Sequence, residues 1–307
     1  MLKAENALPL LAVWDSIKKP ITLGGLLTIA AESLILKREK NADLAGICFV
    51  GKHSGFPYSR AFQEVEEYMF QENWILDIAR SIKGIEKLYV APSIESLDHA
   101  FSFWPESKDK SYQHATYFFL QDYCNKGNKM IPLGMDKKTL KLAKDYIKRV
   151  SGKSLAVAIH LKNNHNSPGF SNANFPVWKQ FFETCLGQYN VHFILVGNED
   201  IPDDIALLDN VALTKHDKLT IAQELAVIEA SAFFMGMSSG PCNMALLSLT
   251  PCAIFKNPDH DKAEMDQELG RRNRFTFCTS EQKLIRKLET TTLLMNEFKR
   301  LYKSYEA

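Results

Sequence analysis

Phe233-Phe234-Met235-Gly236-Met237-Ser238-Ser239-Gly240-Pro241-Cys242-Asn243 is the stretch that settles the fold class of this chain. An apolar run predicts a strand over residues 231–235, two serines and a glycine follow, and Pro241 opens a helix expected over 241–249. A strand with no polar alternation belongs to a parallel sheet covered by helices on both faces. The same unit repeats outward from here. Downstream, residues 252–255 read as another strand; upstream, strands are expected at 155–161, 191–196 and 211–213, with helices at 175–186 and 220–230.

Further upstream the alternation starts earlier still. Residues 8–14, 44–50 and 88–90 are short apolar runs of buried-strand type. Leu23, Leu26, Leu27, Ala30 and Leu34 recur at helical spacing, and a second helix is expected over about residues 60–83. Residues 93–129 are dense in aromatics and give no clear period. Ile131-Pro132-Leu133-Gly134 reads as a linker before a helix at 136–149, capped by Asp136. Two Rossmann-like, doubly wound parallel-sheet domains follow, at 1–130 and 131–307, with their strand-end loops facing across a cleft. The last stretch, 280–305, places Leu284, Leu288, Leu294, Met295, Phe298 and Leu301 on one helical face. It would pack back on the first domain or on its own. Lys283, Arg286, Lys287, Lys299, Arg300 and Lys303 flank that face, which is either solvated or touches an anionic membrane.

Composition narrows the class. The 307 residues are 46% hydrophobic and 24% charged, ordinary for a globular chain and unlike a disordered one. Thirty-seven basic against 36 acidic residues give +1, without the electrostatic footprint of a nucleic-acid binder. Six cysteines form no C-x-x-C pair and lie mostly in apolar runs, as buried thiols in a reducing compartment do. No signal-peptide pattern opens the sequence, and no apolar run approaches the ~20 residues of a membrane span. The expected location is the cytoplasm, with contact at the inner face of the membrane as a further option.

In doubly wound sheets, ligands bind beyond the carboxyl ends of the strands. The Gly236–Gly240 loop would cradle a phosphate with Ser238, Ser239 and Gly240, or simply cap its helix. It also spells G-x-S-x-G, which in a hydrolase would make Ser238 the nucleophile. That alternative needs an acid and a histidine on later strands; only 252–255 reads clearly as one, and Asp259, His260 and Asp261 are crowded together after it. His160 and Lys162 end the 155–161 strand and suit a phosphate-bearing ligand, or are a half-buried histidine and a solvated lysine. Asn198, Glu199 and Glu229 are candidates for a base or ribose. In the first half, Asp15 and His53 follow strands and would serve as a base toward an acceptor hydroxyl, with Gly24 and Gly25 letting that loop approach a ligand. Asp259-His260-Asp261 has the form of a metal-holding D-x-D. No Walker loop, G-x-G-x-x-G or H-E-x-x-H occurs.

Taken together, residues 131–256 resemble the donor domain of GT-B-type glycosyltransferases. Residues 155–164 are similar to the V-x-I-H-x-[R/K] strand end of the fucosyltransferase-like branch, with Lys162 where arginine is usual. Residues 219–244 resemble that family's late phosphate-binding loop, and 131–161 the interdomain entry of heptosyltransferase-like enzymes. The resemblance implies a metal-independent, inverting, hexosyltransferase-like enzyme of glycan or cell-surface polysaccharide biosynthesis, with no required cofactor. It would move a sugar from a nucleotide-sugar donor to a glycan or lipid-linked acceptor. Lys162 and the serine loop would steady the departing diphosphate, and Asp15 or His53 would activate the acceptor. A non-catalytic nucleotide- or glycan-binding member of the fold is a third option.

Overall fold

The computed structural model describes residues 8–16, 18, 21–41, 43–51, 63–64, 73–85, 87–97, 101–106, 116–164 and 169–306. The chain divides into two compact units between Asp136 and Lys137.

The first unit contains β1 (Leu10–Asp15), α1 (Leu23–Glu39), β2 (Leu44–Val50), β3 (Gln63–Glu64), α2 (Asn73–Ser81), β4 (Leu88–Ala91), β5 (Ser102–Trp104) and α3 (Phe118–Asn125). The sheet order is β3-β4-β2-β1-β5. Its pairs are parallel except β3 with β4. Helix α1 is buried along most of its length because its apolar residues lie all around the helix, not on one stripe. Thr22 caps it by accepting the Gly25 N–H at 3.1 Å. Glu32, 3% exposed, is satisfied by the Trp104 indole N–H at 2.7 Å.

Two expectations change here. The helix expected over 60–83 is observed, among the described residues, only at Asn73–Ser81, while residues 63–64 pair with β4 in extended form. An open sheet edge offers backbone partners that side-chain spacing does not register. The boundary read at residue 130 lies six residues later, after Asp136. The Lys83 N–H bonds Gly134 O at 2.8 Å, and the Asp136 N–H bonds Ser81 O at 2.6 Å. The presumed linker is thus tied to the end of α2.

The second unit runs α4 (Lys137–Ser151), β6 (Leu155–His160), α5 (Phe175–Cys185), β7 (Val191–Leu195), α6 (Asp203–Ala206), β8 (Val211–Leu213), α7 (Ile221–Ala230), β9 (Phe233–Met237), α8 (Cys242–Leu247), β10 (Cys252–Phe255), α9 (Lys262–Glu268), β11 (Gln282–Ile285) and α10 (Thr291–Glu306). Its sheet order is β11-β10-β9-β6-β7-β8, all parallel. β6 is the unit's first strand, and later strands add on both sides of it. The winding therefore reverses between β6 and β9, where doubly wound folds open a ligand crevice.

The single helical face expected over 280–305 is a strand followed by a helix. Leu284 lies in β11 and Leu288 is 62% exposed, whereas Leu294, Met295, Phe298 and Leu301 are buried with the α5 aromatics. Leu284 and Leu288 happen to continue the helical spacing of α10, although Leu284 belongs to a strand. Phe298 meets Phe181 at 5.7 Å between ring centroids, and Trp178 meets Phe255 at 5.9 Å. Each such side chain contributes about 1.5–3 kcal/mol on burial. The basic flank is divided as well: Lys283 and Arg300 pair with Glu297, and Arg286 pairs with Asp266. Among the described residues no helix is long and apolar enough to cross a membrane. All six cysteines are free thiols.

Candidate functional site

His160, the last residue of β6, is 2% exposed, and two glycines make room for it. Gly236 stands opposite it on β9, with φ +156°; a Cβ there would fall 2.4 Å from the His160 carbonyl oxygen. Gly197, just after β7 with φ +108°, would place a Cβ 3.0 Å from the ring's Cδ2. Gly236 thus spares the His160 backbone, and Gly197 spares the ring edge together with Glu199, whose Oε2 would lie 2.2 Å from that Cβ.

The ring is bonded on both sides. Its Nε2 lies 2.9 Å from Glu199 Oε1 and its Nδ1 2.8 Å from Ser239 Oγ. Burial pushes the Glu199 carboxyl up, but the His160 hydrogen bond and charge, together with Lys215, outweigh it and leave the group below the usual carboxylate value. An ionised carboxylate only accepts, so Nε2 carries a proton. With a neutral ring, the Ser239 hydroxyl donates to Nδ1. With an imidazolium, Nδ1–H donates to Ser239, whose own proton turns to Met237 O at 3.1 Å. The Ser239 proton is committed in both states. The Ser238 hydroxyl, half-buried, has no partner among the described residues.

Around this relay lie further polar groups. Lys162, half-buried, donates to Ser171 Oγ at 3.1 Å; burial first, then the charge of Lys256, holds its pKa below the usual lysine value. Lys256, just past β10 and 5% exposed, bonds Asp261 Oδ2 at 2.7 Å. Burial pushes the Asp261 carboxyl up, but Lys256 overrides that and lowers it. Asp261 is thereby committed to Lys256, and among the described residues no set of three His, Cys, Asp or Glu side chains gathers to hold a metal. Glu224 accepts the Gly197 N–H at 3.1 Å and the Thr214 hydroxyl on the same oxygen. Burial raises its pKa.

The sequence candidates are therefore sorted. The structure joins His160, Glu199 and Ser239, with Lys162 electrostatically coupled to Glu199. Ser238 continues the sheet through its N–H to Phe255 O at 2.8 Å, and Gly240 O accepts from Asn243 at 3.1 Å. Asn198 is exposed. Glu229 sits in the last turn of α7, five residues or about 7.5 Å beyond Glu224 and away from the strand ends. The carboxylate that reaches Gly197 is Glu224, which the sequence reading passed over. Thr220 as helix cap was the available signal, since it fixes the first turn of α7 at the strand ends. Lys256 was passed over too, although it directly follows an apolar strand run.

Ser238 lacks what a nucleophile elbow requires. The non-glycine residues with left-handed backbone are Asn41, Lys218, Leu249 and Asp261, among those described. Ser238 is not strained, and the histidine bonds its neighbour. α8 is only six residues long, so its dipole adds little at this loop. β11 supplies a second strand after the loop, where the sequence showed one.

In the first unit Asp15 ends β1, 3% exposed, with the Lys18 N–H 3.3 Å from its Oδ1. Gly24 and Gly25 belong to the first turn of α1 instead of a ligand loop. Gly25 is explained by packing: a Cβ would lie 2.3 Å from the Trp14 ring. His53 lies outside the described residues.

No family model matches the sequence, and a search of curated proteins found no match. Solved structures do resemble the whole chain. A glycosyl transferase family 9 structure from Veillonella parvula aligns at 10% identity and TM-score 0.54, covering 96% of this chain and 91% of its own. Escherichia coli heptosyltransferase WaaC with ADP aligns at 9% identity and TM-score 0.54, covering 95% and 99%. The dodecameric iron-containing heptosyltransferase TibC with ADP-D-β-D-heptose aligns at 12% identity and TM-score 0.50, covering 99% and 78%. The chain has the GT-B-type α/β fold of these proteins, with two parallel-sheet domains.

Proposed function

We propose that this chain is a glycosyltransferase that moves a sugar from a nucleotide-sugar donor to an acceptor hydroxyl. The observation that carries this reading is the likeness over almost the full length to a glycosyl transferase family 9 structure and to a heptosyltransferase structure holding ADP. Within the second unit, the reversal of winding between β6 and β9 supports placing the donor beside His160 and the Ser238 loop. There Lys162 and the open Ser238 hydroxyl would meet the diphosphate, whereas His160 would stand behind Ser239 and not touch it. Asn198, exposed beside Glu199, and Gly240 complete the proposed donor surface; Glu229 does not reach it.

In this reading the first unit is the acceptor side. Asp15, at the carboxyl end of its strand, or His53 removes the acceptor's proton as the acceptor oxygen displaces the nucleoside diphosphate from the sugar's anomeric carbon with inversion. The reaction proceeds without bound metal, in the cytoplasm, on a glycan or lipid-linked acceptor of a polysaccharide pathway. The balanced net charge supports a small anionic donor bound by a few placed groups over a nucleic-acid partner.

Thermal-shift measurements with ADP, UDP, GDP and CMP test the reading. A fitting nucleotide at a hundredfold excess over its Kd stabilises the fold by about 2.7 kcal/mol. Absence of any shift, with no release of nucleotide from sugar donors, overturns it. A transfer rate that survives EDTA supports the metal-free form.

A further inference from the structure

A cavity of about 750 Å³ lies in the second unit between the segment after β10, helix α9, strand β11 and the start of α10. None of His160, Lys162, Glu199, Ser239 or Lys256 lines it. Six lining residues are cations, Lys262, Arg271, Arg272, Lys283, Arg286 and Lys287, against three carboxylates. That formal excess of three exceeds the +1 of the entire chain, so the rest of the molecule is net negative.

The carboxylates do not neutralise it. Asp266 is taken by Arg286 at 2.7 Å and Glu297 by Lys283 at 3.1 Å. Lys262, Arg271 and Lys287 are exposed and have no ion-pair partner among the described residues. Their frame is built, not loose. The Leu284 N–H on the edge strand bonds Asn273 O at 2.7 Å, and the Arg286 guanidinium also reaches Gly270 O at 3.3 Å. These bonds hold the Arg271 backbone against β11. Leu284 and Ile285, both buried, supply an apolar wall.

We infer that this cavity is a binding site for a phosphate-bearing ligand, separate from the proposed donor site. Arg271, Lys287 and Lys262 would take the phosphate, the arginine through its two-pronged donor geometry, and the apolar wall would take the attached body. The volume lies within the ~300–1,000 Å³ typical of small-molecule sites. A soluble phosphorylated compound and a phospholipid headgroup share this chemistry.

The test titrates inorganic pyrophosphate into the full chain by calorimetry at about 0.15 M salt. It is done in a Lys162→Ala background, which weakens the proposed donor site's share of the binding. R271Q with K287Q weakens binding about tenfold or more, the loss of two charge-assisted contacts. K299Q with K303Q removes the same charge from exposed positions on α10 outside the cavity and changes binding less than twofold. Equal weakening by both pairs, no effect of the first pair, or no pyrophosphate binding in the Lys162→Ala chain overturns the inference. Co-sedimentation with phosphatidylcholine vesicles, with and without phosphatidic acid, separates the sources. Retention that R271Q with K287Q abolishes assigns the headgroup; no retention beside intact pyrophosphate binding assigns a soluble ligand. Nucleoside diphosphate binding by R271Q with K287Q stays at the parent level, so this inference and the donor reading fail independently.

Discussion

In the first unit the glycines at the sheet make way for backbone and for an aromatic ring; in the second they make way for one histidine, its backbone at Gly236 and its ring edge, with Glu199, at Gly197. Gly46 on β2 has φ +148°, and a Cβ would fall 2.1 Å from Lys87 O; Gly25 yields to Trp14. Gly236 yields to the His160 backbone, and Gly197 to Glu199 and the His160 ring. The same strand–helix alternation thus closes one set of strand ends with packing and equips the other with a hydrogen-bonded relay. Asp15 is the exception in the first unit, a buried carboxylate at the end of an otherwise apolar strand. If the units divide the labour of transfer, one group in the first should govern the chemical step and several in the second should govern donor binding.

Asp15→Asn carries the largest expected effect. Loss of a general base lowers kcat by about 10²- to 10⁴-fold. Nucleoside diphosphate affinity, a property of the other unit in this scheme, should hold within twofold. A parallel fall in both quantities would break the division; a fall seen only in His53→Ala would move the base to that residue.

Glycine substitutions compare the two kinds of space directly. At Gly236 the clashing atoms are backbone atoms of His160 on a central strand, which no rotamer change relieves. Gly236→Ala should cost about 3 kcal/mol or more in denaturant unfolding. Gly25→Ala displaces a ring and should cost about 1–3 kcal/mol, the usual range for overpacking. The reverse order would mean that the strand ends of the second unit are the looser ones.

The relay itself can be divided by substitution. His160→Asn keeps an amide near the Nδ1 position and so the contact to Ser239; His160→Gln keeps one near Nε2 and so the contact to Glu199. His160→Ala should weaken nucleoside diphosphate binding about tenfold, or about 1.4 kcal/mol. The Asn variant should recover most of that loss and the Gln variant little, because Ser239 belongs to the loop that faces the donor. Equal behaviour of Asn and Gln would make His160 a packing residue only.

Strands that are continuous apolar runs, such as Leu44–Val50 and Cys252–Phe255, were legible because a parallel strand covered by helices suits such a run. β3 and β5, two and three residues long, were not, since pairing with a neighbour defines them and spacing does not. At the site, residue types at strand ends pointed to His160, Glu199 and Ser239. Which of two adjacent serines meets the ring depends on the turn after β9, and no pattern of residue types encodes that. Gly25 shows the converse error: a glycine pair before a helix suggested a ligand, and a tryptophan one strand away accounts for it.

The smallest effect is also the one with the clearest pH signature. Glu199 is held below its ordinary carboxylate pKa of 4.5 in the fold. A lowered acid contributes stability above its unfolded pKa, and that contribution disappears as pH falls through the folded value. Glu199→Gln keeps one acceptor oxygen toward His160 but gives up the charge, so it should cost only about 1 kcal/mol near neutrality. The gap between wild type and variant should be constant above about pH 5, narrow as the carboxylate takes up its proton, and close at lower pH. No comparable acid-sensitive gap is expected for Gly25→Ala, whose cost is steric and independent of pH. A Glu199→Gln gap that stays level down to acid would show that the relay does not draw on the Glu199 charge, and would reduce the difference between the two sets of strand ends to packing.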